Sequence, residues 1–321
     1  MFTIGRHVSK LSGYAPAVPT PFNSNGRIDY DAFERYCDRQ VKEGAIALVV
    51  CGTTGEAPTL DPAEHLDLIR IAASVADGVP VIAGAGSNAT SHAIELSRGA
   101  EAAGADAILS VVPYYNKPTQ EGLYLHFRAI TQASGLPMIL YDIPARTACS
   151  LADDTVARLA ELPRIIGLKD ATGNVTRPAR LRPLVGPDFR LLSGDDATAL
   201  AFLANGGNGC ISVTSNLAPG LCRNMFLACK QEQMARAQRL ADPIALLTHV
   251  LFLETNPAPL KYALSLLGYM SPRVRLPLVE LNDHTRTEIV TMLAKICDSY
   301  ADYMIGSLRM PQYRTHRAVV G

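Results

Sequence analysis

The chain has 321 residues, of which 48% are hydrophobic and 19% are charged, and its 30 lysines and arginines balance 30 aspartates and glutamates. This balance argues against partners such as nucleic acid or an anionic membrane, so we expect small molecules or copies of the chain itself. Seven scattered cysteines without a C-x-x-C pair argue against a disulfide framework and a zinc site and favour the reducing cytoplasm. No apolar stretch of about 18 residues occurs, so a membrane span is not expected.

Short apolar runs alternate with segments of helical length from Tyr14 onward. Eight such runs begin near Tyr14, Ala45, Val79, Ala105, Leu136, Arg164, Phe189 and Asn208. Strands and helices that alternate in this way are typical of parallel α/β folds. A doubly wound sheet shows the same alternation, but the count of eight favours a (β/α)8 TIM barrel.

Local signals mark several ends of the intervening helices. Asp61-Pro62-Ala63-Glu64 places a capping acid before a proline and a glutamate three residues later, which predicts a helix start at Pro62. Gly78, Gly104 and Gly135 each fall between a helical segment and the next strand, as C-terminal cap glycines do.

No further strand is predicted after about residue 216, and the remaining segments have helical character. We expect residues 1–215 to form the barrel strands with the active site, and residues 216–303 to form the barrel-closing helix and a C-terminal helical domain. The expected helices span 217–230, 232–252, 257–267 and 282–303. Residues 304–321 are basic but sparse in charge, and are predicted to be a surface or disordered extension.

The run Arg164-Ile165-Ile166-Gly167-Leu168-Lys169-Asp170 predicts a buried strand with one lysine at its carboxyl end. Strict alternation would place Ile165, Gly167 and Lys169 on one face and Ile166 and Leu168 on the other. Barrel folds keep their chemistry at the carboxyl ends of the strands. Desolvation there favours the neutral amine, which can form a Schiff base with a carbonyl compound. An isolated lysine at a strand end more often reaches out to solvent, so the assignment depends on the residues around it.

Polar residues follow the neighbouring strands at the same predicted rim. Tyr141 would lie on the strand beside Lys169, on one face with Ile139 and Ile143, where its phenol could exchange protons with the reacting groups. Arg146 follows on the same rim and has the planar shape that binds a carboxylate at two points. The loop Gly52-Thr53-Thr54-Gly55-Glu56 could bind an anion through its backbone N–H groups.

A glycine-rich turn, Gly84-Ala85-Gly86-Ser87-Asn88-Ala89, superficially matches a dinucleotide-binding fingerprint. A turn of this kind is expected after the third strand of any eight-strand alternation. The motif therefore carries little weight for a nicotinamide cofactor.

The chain resembles the class I pyruvate-dependent aldolase superfamily, and most closely the dihydrodipicolinate synthase family, in six motifs that occur in order: GTTGEAPTL, PYYNKPTQEGLY, YDIPART, IIGLKDATGN, LLSGDDATAL and NGCISVTSN. The resemblance implies a barrel with a helical C-terminal extension, assembled as a homotetramer (a dimer of dimers) or a homodimer. It implies that pyruvate forms a Schiff base with Lys169 and that the enamine adds to L-aspartate-semialdehyde. The product would be 4-hydroxy-tetrahydrodipicolinate, for lysine and diaminopimelate synthesis, made without a metal or a cofactor.

The same resemblance assigns roles to individual residues. Thr53, Tyr141 and Tyr115 would form a proton relay, with Tyr115 reaching across a dimer interface. Thr54 would hold the pyruvate carboxylate and Arg146 the carboxylate of the aldehyde, while Gly194 and Ile211 would line the pocket. A regulatory site for lysine would include His65, Asn88, His92 and Tyr114.

Several positions depart from the family pattern. Asp142 stands where asparagine is usual and could attract Arg146, and Ala148 stands where glycine is usual and could redirect the loop. Pro62 and His92 replace the usual histidine and glutamate of the lysine site, so L-lysine should inhibit weakly unless a nearby acid such as Glu56 or Glu95 substitutes.

Two alternative functions follow from the same scaffold. The first is a sister aldolase or dehydratase acting on N-acetylneuraminate or 2-keto-3-deoxy-sugar acids, which generally lacks the Arg146-Thr147 pair. The second is an inactive paralogue that binds keto acids, which the joint presence of Lys169, Tyr141, Thr53 and Tyr115 argues against.

Overall fold

The computed structural model describes residues 11–300 together with Val8 and Tyr303. Its sheet has eight strands: β1 (Gly13–Pro16), β2 (Leu48–Val50), β3 (Val81–Gly84), β4 (Ala107–Val111), β5 (Met138–Asp142), β6 (Ile165–Asp170), β7 (Arg190–Ser193) and β8 (Gly209–Ser212). All neighbours are parallel, in the order β1-β8-β7-β6-β5-β4-β3-β2. A parallel bridge between Ala17 and Val49 joins the two ends of the sheet. The predicted (β/α)8 barrel is confirmed.

Helices connect the strands and follow the last one. They are α1 (Tyr30–Lys42), α2 (Pro62–Val75), α3 (Thr90–Ala102), α4 (Gln120–Ala133), α5 (Pro144–Thr147), α6 (Asp153–Ala160), α7 (Arg177–Val185), α8 (Ala199–Ala204), α9 (Pro219–Lys230), α10 (Met234–Leu251), α11 (Ala258–Leu266) and α12 (Asp283–Tyr300). The four helices predicted after residue 216 are therefore present as α9 to α12. The division into domains stays a prediction, and the tail 304–321 lies outside the described residues. None of these helices is long and apolar enough to cross a membrane.

Two hydrophobic cores hold the barrel together. The smaller one fills the barrel and is built from alternate residues of the strands, including Val49, Ile82, Leu109 and Ile139. The larger one lies between the strands and the surrounding helices. Side chains that alternate between two faces along each strand supply both cores.

A register shift in β6 changes which side chains face the barrel interior. Met138 pairs with Ile165, but the next residue, Ile139, pairs with Gly167, so one residue of β6 is extra. Ile166 consequently packs inside the barrel and Ile165 packs in the outer core. The alternation predicted from sequence was wrong for these two isoleucines because it assumed a regular strand.

The signals for helix ends had mixed outcomes. The capping box is confirmed, since the Asp61 carboxylate accepts from the Glu64 N–H at 2.8 Å and the Glu64 carboxylate accepts from the Asp61 N–H at 3.1 Å. Gly78 and Gly104 have the left-handed φ of cap glycines, 81° and 93°. Gly135 is not among the residues with positive φ, and its N–H donates instead to the Glu101 carboxylate.

The glycine-rich turn after β3 has a packing explanation. A Cβ atom on Gly84 would lie 2.0 Å from the Cys51 carbonyl oxygen, and one on Gly86 would lie 2.4 Å from the Val111 backbone nitrogen. Both distances are far below van der Waals contact. These glycines are required because the neighbouring strands approach closely, which accounts for the pattern without a dinucleotide.

Candidate active site

Lys169 and Tyr141 lie side by side at the carboxyl ends of β6 and β5. They are paired in the register of the two strands, and the Lys169 Nζ lies 4.2 Å from the centre of the Tyr141 ring. Both side chains are buried, with exposed fractions of 7% and 6%. Ile139, Ile211 and Tyr141 belong to the same hydrophobic core inside the barrel. The fold thus presents an amine next to a phenol in an apolar setting, as the sequence predicted.

A cavity of about 430 Å³ opens at the same end of the barrel. Thr53, Tyr141 and Arg146, three of the residues expected to bind or convert substrate, lie in its wall. His65, His92 and Tyr114, predicted for a regulatory site, lie in the wall of the same cavity. The two sites predicted separately from sequence are therefore two regions of one space.

Arg146 is available to a ligand at the rim of this cavity. It lies on α5 and its side chain is exposed, and the guanidinium makes no hydrogen bond or ion pair with any residue that the structure describes. Asp142 does not attract it. The Asp142 carboxylate accepts from the Arg177 guanidinium at 2.8 Å instead, so the sequence-based expectation about Arg146 was wrong.

The loop after β2 places Thr53 and Thr54 in different surroundings. Thr53 lines the cavity, whereas Thr54 is buried and its Oγ1 accepts from the Asn256 Nδ2 at 3.0 Å. Glu56, two residues later, forms a fully buried ion pair with Lys261 of α11, Nζ to Oε1 2.7 Å. Burial lowers the pKa of Lys261 to about 8, and the Glu56 carboxylate opposes part of that shift. Glu56 is thus already paired and cannot serve as a free acid in the cavity.

The other predicted pocket residues differ in how close they come to the lysine. A Cβ atom on Gly194 would lie 3.1 Å from the Lys169 Cε, so Gly194 leaves room for the amine. Ile211 is buried in the barrel core with Tyr141. Tyr115 is 89% exposed on the loop after β4 and is not brought to the cavity by this chain alone.

The residues expected to bind lysine fall into two groups. His65 is buried and its Nε2–H donates to the Gly84 carbonyl at 2.8 Å, while its Nδ1 has no partner in the described part of the chain. Burial lowers the pKa of His65 and keeps the ring neutral. The His92 Nδ1 lies 3.3 Å from the Ser87 Oγ, and Tyr114 is 40% exposed. Asn88 does not line the cavity, and its carbonyl accepts from Asn116.

Arg177 is a structural centre of the site that sequence reasoning missed. Its buried guanidinium donates to Asp142 at 2.8 Å, to Asp170 at 3.3 Å and to Asp153 at 3.0 Å. Asp142 and Asp170 directly follow Tyr141 and Lys169, so Arg177 ties the two strand ends together. The sequence contained a signal for this role. Arg177 is the first residue of α7, and a cation at the N-terminus of a helix is unfavourable unless carboxylates lie nearby.

Burial raises the pKa of Asp142, and the Arg177 guanidinium opposes part of that rise. The nearby carboxylates raise the pKa of Arg177 against the effect of its own burial, so the cation persists. The network is one positive charge shared among several acids.

Comparison with known proteins gives consistent matches over most of the chain. The model of the dihydrodipicolinate synthetase family matches residues 10–296. A 4-hydroxy-tetrahydrodipicolinate synthase from Rhodospirillum centenum is 51% identical over 284 residues, which is 88% of this chain and 97% of that protein.

Two solved structures are similar in fold as well as in sequence. The dihydrodipicolinate synthase from Acinetobacter baumannii, described as chloride-inhibited and complexed with pyruvate, has a TM-score of 0.86 and 42% identity, covering 88% of this chain and 98% of its own. The 4-hydroxy-tetrahydrodipicolinate synthase from Methylacidiphilum fumariolicum has a TM-score of 0.89 and 39% identity, covering 92% and 98%.

Proposed function

The chain belongs to the dihydrodipicolinate synthetase family, and we propose from that premise which of its residues carry the reaction. The protein is a lyase that condenses pyruvate with L-aspartate-semialdehyde to 4-hydroxy-tetrahydrodipicolinate, in lysine and diaminopimelate synthesis. The observation that supports our assignment of residues best is the buried Lys169 amine beside the Tyr141 phenol at the carboxyl end of the barrel.

The first half of the reaction is assigned to Lys169 and Tyr141. The Lys169 amine attacks the keto carbon of pyruvate to give a carbinolamine, which loses water to become the Schiff base. Tyr141 donates and accepts the protons of these steps, and Thr53 in the cavity wall passes them on. Removal of a methyl proton then gives the enamine that attacks the aldehyde carbon.

Arg146 is assigned to the second substrate. Its guanidinium lines the cavity without an ion-pair partner among the described residues, which leaves it free to bind the carboxylate of the aldehyde. Thr54 and the turn around it are assigned to the pyruvate carboxylate, and Gly194 and Ile211 to the pocket beside the lysine. Beyond the covalent bond to pyruvate, no cofactor enters this proposal.

Borohydride trapping tests the assignment of the Schiff base. Reduction in the presence of pyruvate should add a stable mass to the peptide that contains Lys169, and Lys169→Ala should show no such adduct. Tyr141→Phe should still bind pyruvate but lower kcat by about 10² to 10⁴. An adduct on another lysine would overturn the assignment.

The choice of the second substrate is tested at Arg146. Arg146→Ala should raise KM for the aldehyde by about 10- to 150-fold, because a charge-assisted contact is lost, and should leave KM for pyruvate nearly unchanged. Arg35→Ala on α1, which also removes an exposed arginine, serves as the control. Equal effects on both substrates would contradict the role.

A panel of aldehydes tests the alternative function. If the protein converts L-aspartate-semialdehyde faster than the aldehyde precursors of sugar acids, it does not act as a sister aldolase.

The assembly of the protein is the remaining part of the proposal. Tyr115 is assigned to the proton relay of a partner subunit in a homodimer or a homotetramer, which its 89% exposed side chain supports. A mixture of Lys169→Ala and Tyr115→Phe subunits should then be more active than either parent, because some sites receive both native residues. Seven free cysteines support a location in the reducing cytoplasm.

A further inference from the structure

The loop after β2 contains a residue in an unfavourable backbone conformation. Glu56 has φ 55° and ψ 35°, in the left-handed region, and its exposed fraction is only 2%. Glycine adopts this conformation readily, whereas a residue with a Cβ atom is disfavoured there. Contacts of the Glu56 side chain must therefore compensate for the unfavourable backbone.

Two donors from the C-terminal part of the chain hold the Glu56 carboxylate. Its Oε1 accepts from the Lys261 Nζ at 2.7 Å, and its Oε2 accepts from the Arg275 N–H at 3.0 Å. The side chains of Lys261 and Glu56 have exposed fractions of 0% and 1%, and the Lys261 Nζ lies 4.1 Å from the centre of the Phe22 ring. Because water does not reach either charge, removal of one would leave the other buried without compensation.

The anchored glutamate closes a turn that lines the cavity. The Glu56 N–H donates to the Thr53 carbonyl at 3.1 Å, and the Ala57 N–H donates to the Gly52 carbonyl at 3.3 Å. Gly52, Thr53 and Ala57 lie in the cavity wall, whereas Glu56 does not. The turn thus presents Thr53 to the cavity, while the Glu56 side chain fixes the turn from the protein interior.

We propose that Lys261 is a positioning residue, which holds this turn through Glu56 and thereby places Thr53 for proton transfer. The inference rests on the proposed function, in which Thr53 passes on the protons of Tyr141. Without the Lys261 cation, the Glu56 carboxylate would keep its desolvation cost with only the Arg275 N–H as a partner. Glu56 would then leave the left-handed conformation, and its hydrogen bond to the Thr53 carbonyl would be lost.

Kinetics expressed per active site test this role. Lys261→Met should lower kcat by about 10- to 100-fold, because a displacement of about 1 Å is enough for such a loss. KM for the aldehyde should stay unchanged, since Arg146 lies on α5. The rate is divided by the fraction of protein that pyruvate and borohydride label at Lys169, so that unfolded molecules do not count.

A core substitution away from the loop is the control for general destabilisation. Leu247 is fully buried on α10, and Leu247→Ala should destabilise the protein but keep the wild-type kcat per labelled site. An equal loss of kcat in Leu247→Ala, or wild-type kcat in Lys261→Met, would overturn the proposal.

Two double variants separate the geometry of the turn from the loss of charge. Lys261→Met with Glu56→Gly removes both charges and allows the left-handed conformation without an anchor, so kcat should return toward the wild-type value. Lys261→Met with Glu56→Ala removes the same charges but disfavours that conformation, so kcat should stay about 5- to 30-fold below that of the glycine variant. Equal kcat in the two would refute the proposal. Neither leaves a buried charge unpaired, so they carry the test if Lys261→Met does not fold.

A double-mutant cycle tests whether Lys261 acts through Thr53. In a Thr53→Val background, Lys261→Met should change kcat per labelled site by less than about twofold, because no hydroxyl remains to be placed. The full loss of kcat in that background would show that Lys261 acts by another route and would overturn the proposal.

Trapping of pyruvate distinguishes failure of this inference from failure of the proposed function. If borohydride does not label Lys169 in the wild-type protein, the proposed function is wrong. If the wild type is labelled and Lys261→Met keeps its kcat per labelled site, the inference about Lys261 alone is wrong.

Discussion

Ala148 takes a left-handed backbone conformation, φ 55° and ψ 21°, immediately after the short helix that carries Arg146. Glycine accepts this conformation readily, whereas a residue with a Cβ is strained by about 1 to 2 kcal/mol. The alanine thus keeps the geometry for which glycine is better suited. The expectation that alanine could redirect the loop stays a prediction.

Replacing this alanine should stabilise the protein. We expect Ala148→Gly to raise the free energy of unfolding by up to about 1 kcal/mol, because relief of strain exceeds the added entropy of the unfolded chain. Urea unfolding measures the change. Ala145→Gly, inside the same short helix, should instead lower the free energy of unfolding by roughly 0.5 to 1 kcal/mol. Destabilisation by both substitutions would show that Ala148 is not strained.

His92 determines our prediction for inhibition by L-lysine. It lies in the cavity wall where a carboxylate would attract the ligand's ammonium groups, while Glu56 is occupied by Lys261 and Glu95 does not line the cavity. Wild-type protein should need lysine at about millimolar levels or above for half-inhibition. His92→Glu should lower the inhibition constant by one to two decades, because it restores a charge-assisted contact of about 1.5 to 3 kcal/mol.

A lysine titration of the condensation reaction measures this effect. His249→Glu, on the exposed side of α10, adds the same charge outside the cavity and should leave the inhibition constant unchanged. Submillimolar inhibition of the wild type would show that lysine binds despite His92 and Pro62.

At the level of elements, β5, β6 and α6 meet at the Arg177 guanidinium. Asp142 and Asp170 are almost completely buried there, with exposed fractions of 0% and 4%. A buried carboxylate that loses its partner keeps its desolvation cost without the compensating attraction. We therefore expect Arg177 to stabilise the strand ends beside Tyr141 and Lys169.

Removal of this guanidinium should be costly. We expect Arg177→Met to lower the free energy of unfolding by about 3 to 5 kcal/mol, as measured by urea unfolding. Arg180→Met is the matched control, since Arg180 also binds Asp153, at 3.0 Å, but is half exposed and should cost at most about 1 kcal/mol. Adding Asp142→Asn to Arg177→Met should recover part of the loss by removing one unpaired charge. Equal costs for the two arginines would refute the central role of Arg177.

For the molecule as a whole, His126 should make stability depend on pH. It lies on α4, its Nδ1 is 2.9 Å from the Thr90 Oγ1 at the start of α3, and its buried Nε2 has no partner among the described residues. Burial lowers the pKa of His126 from its ordinary value of 6.5 to about 4. Between these values the unfolded chain binds the proton more tightly, so stability is complete above about pH 6.5 and is lost as the pH falls toward 4.

The size of this effect can be measured against a variant without the imidazole. Relative to His126→Gln, the wild type should lose about 3 kcal/mol of unfolding free energy between pH 7 and pH 4. Urea unfolding at several pH values gives both curves, and the difference removes the contribution of the carboxylates. Parallel curves would show that His126 titrates normally in the folded protein.

The C-terminal segment of the chain also forms polar contacts with the barrel. Asn256 and Lys261 reach the loop after β2, where they contact Thr54 and Glu56. Arg275 contacts the same loop and also donates to Glu64 on α2 at 2.6 Å. The segment appended to the barrel is therefore part of the scaffold that holds the residues assigned to pyruvate.

The sequence by itself determined the eight strands, the helices after residue 216, the helix start at Pro62 and the position of Lys169 beside Tyr141. These features depend on local periodicity, on capping chemistry and on the rule that barrel sites lie at the carboxyl ends of strands, so a single segment contains the information.

Only the tertiary structure decided the remaining features. The extra residue in β6 is visible only in its pairing with β5. The Asp142 carboxylate binds Arg177 and not Arg146, which is nearer in sequence. Thr54 forms a hydrogen bond with Asn256, which is far away in sequence. A local sequence pattern does not predict such pairs. The energy of a contact between polar groups depends on their burial and their distance in space, and not on their spacing along the chain.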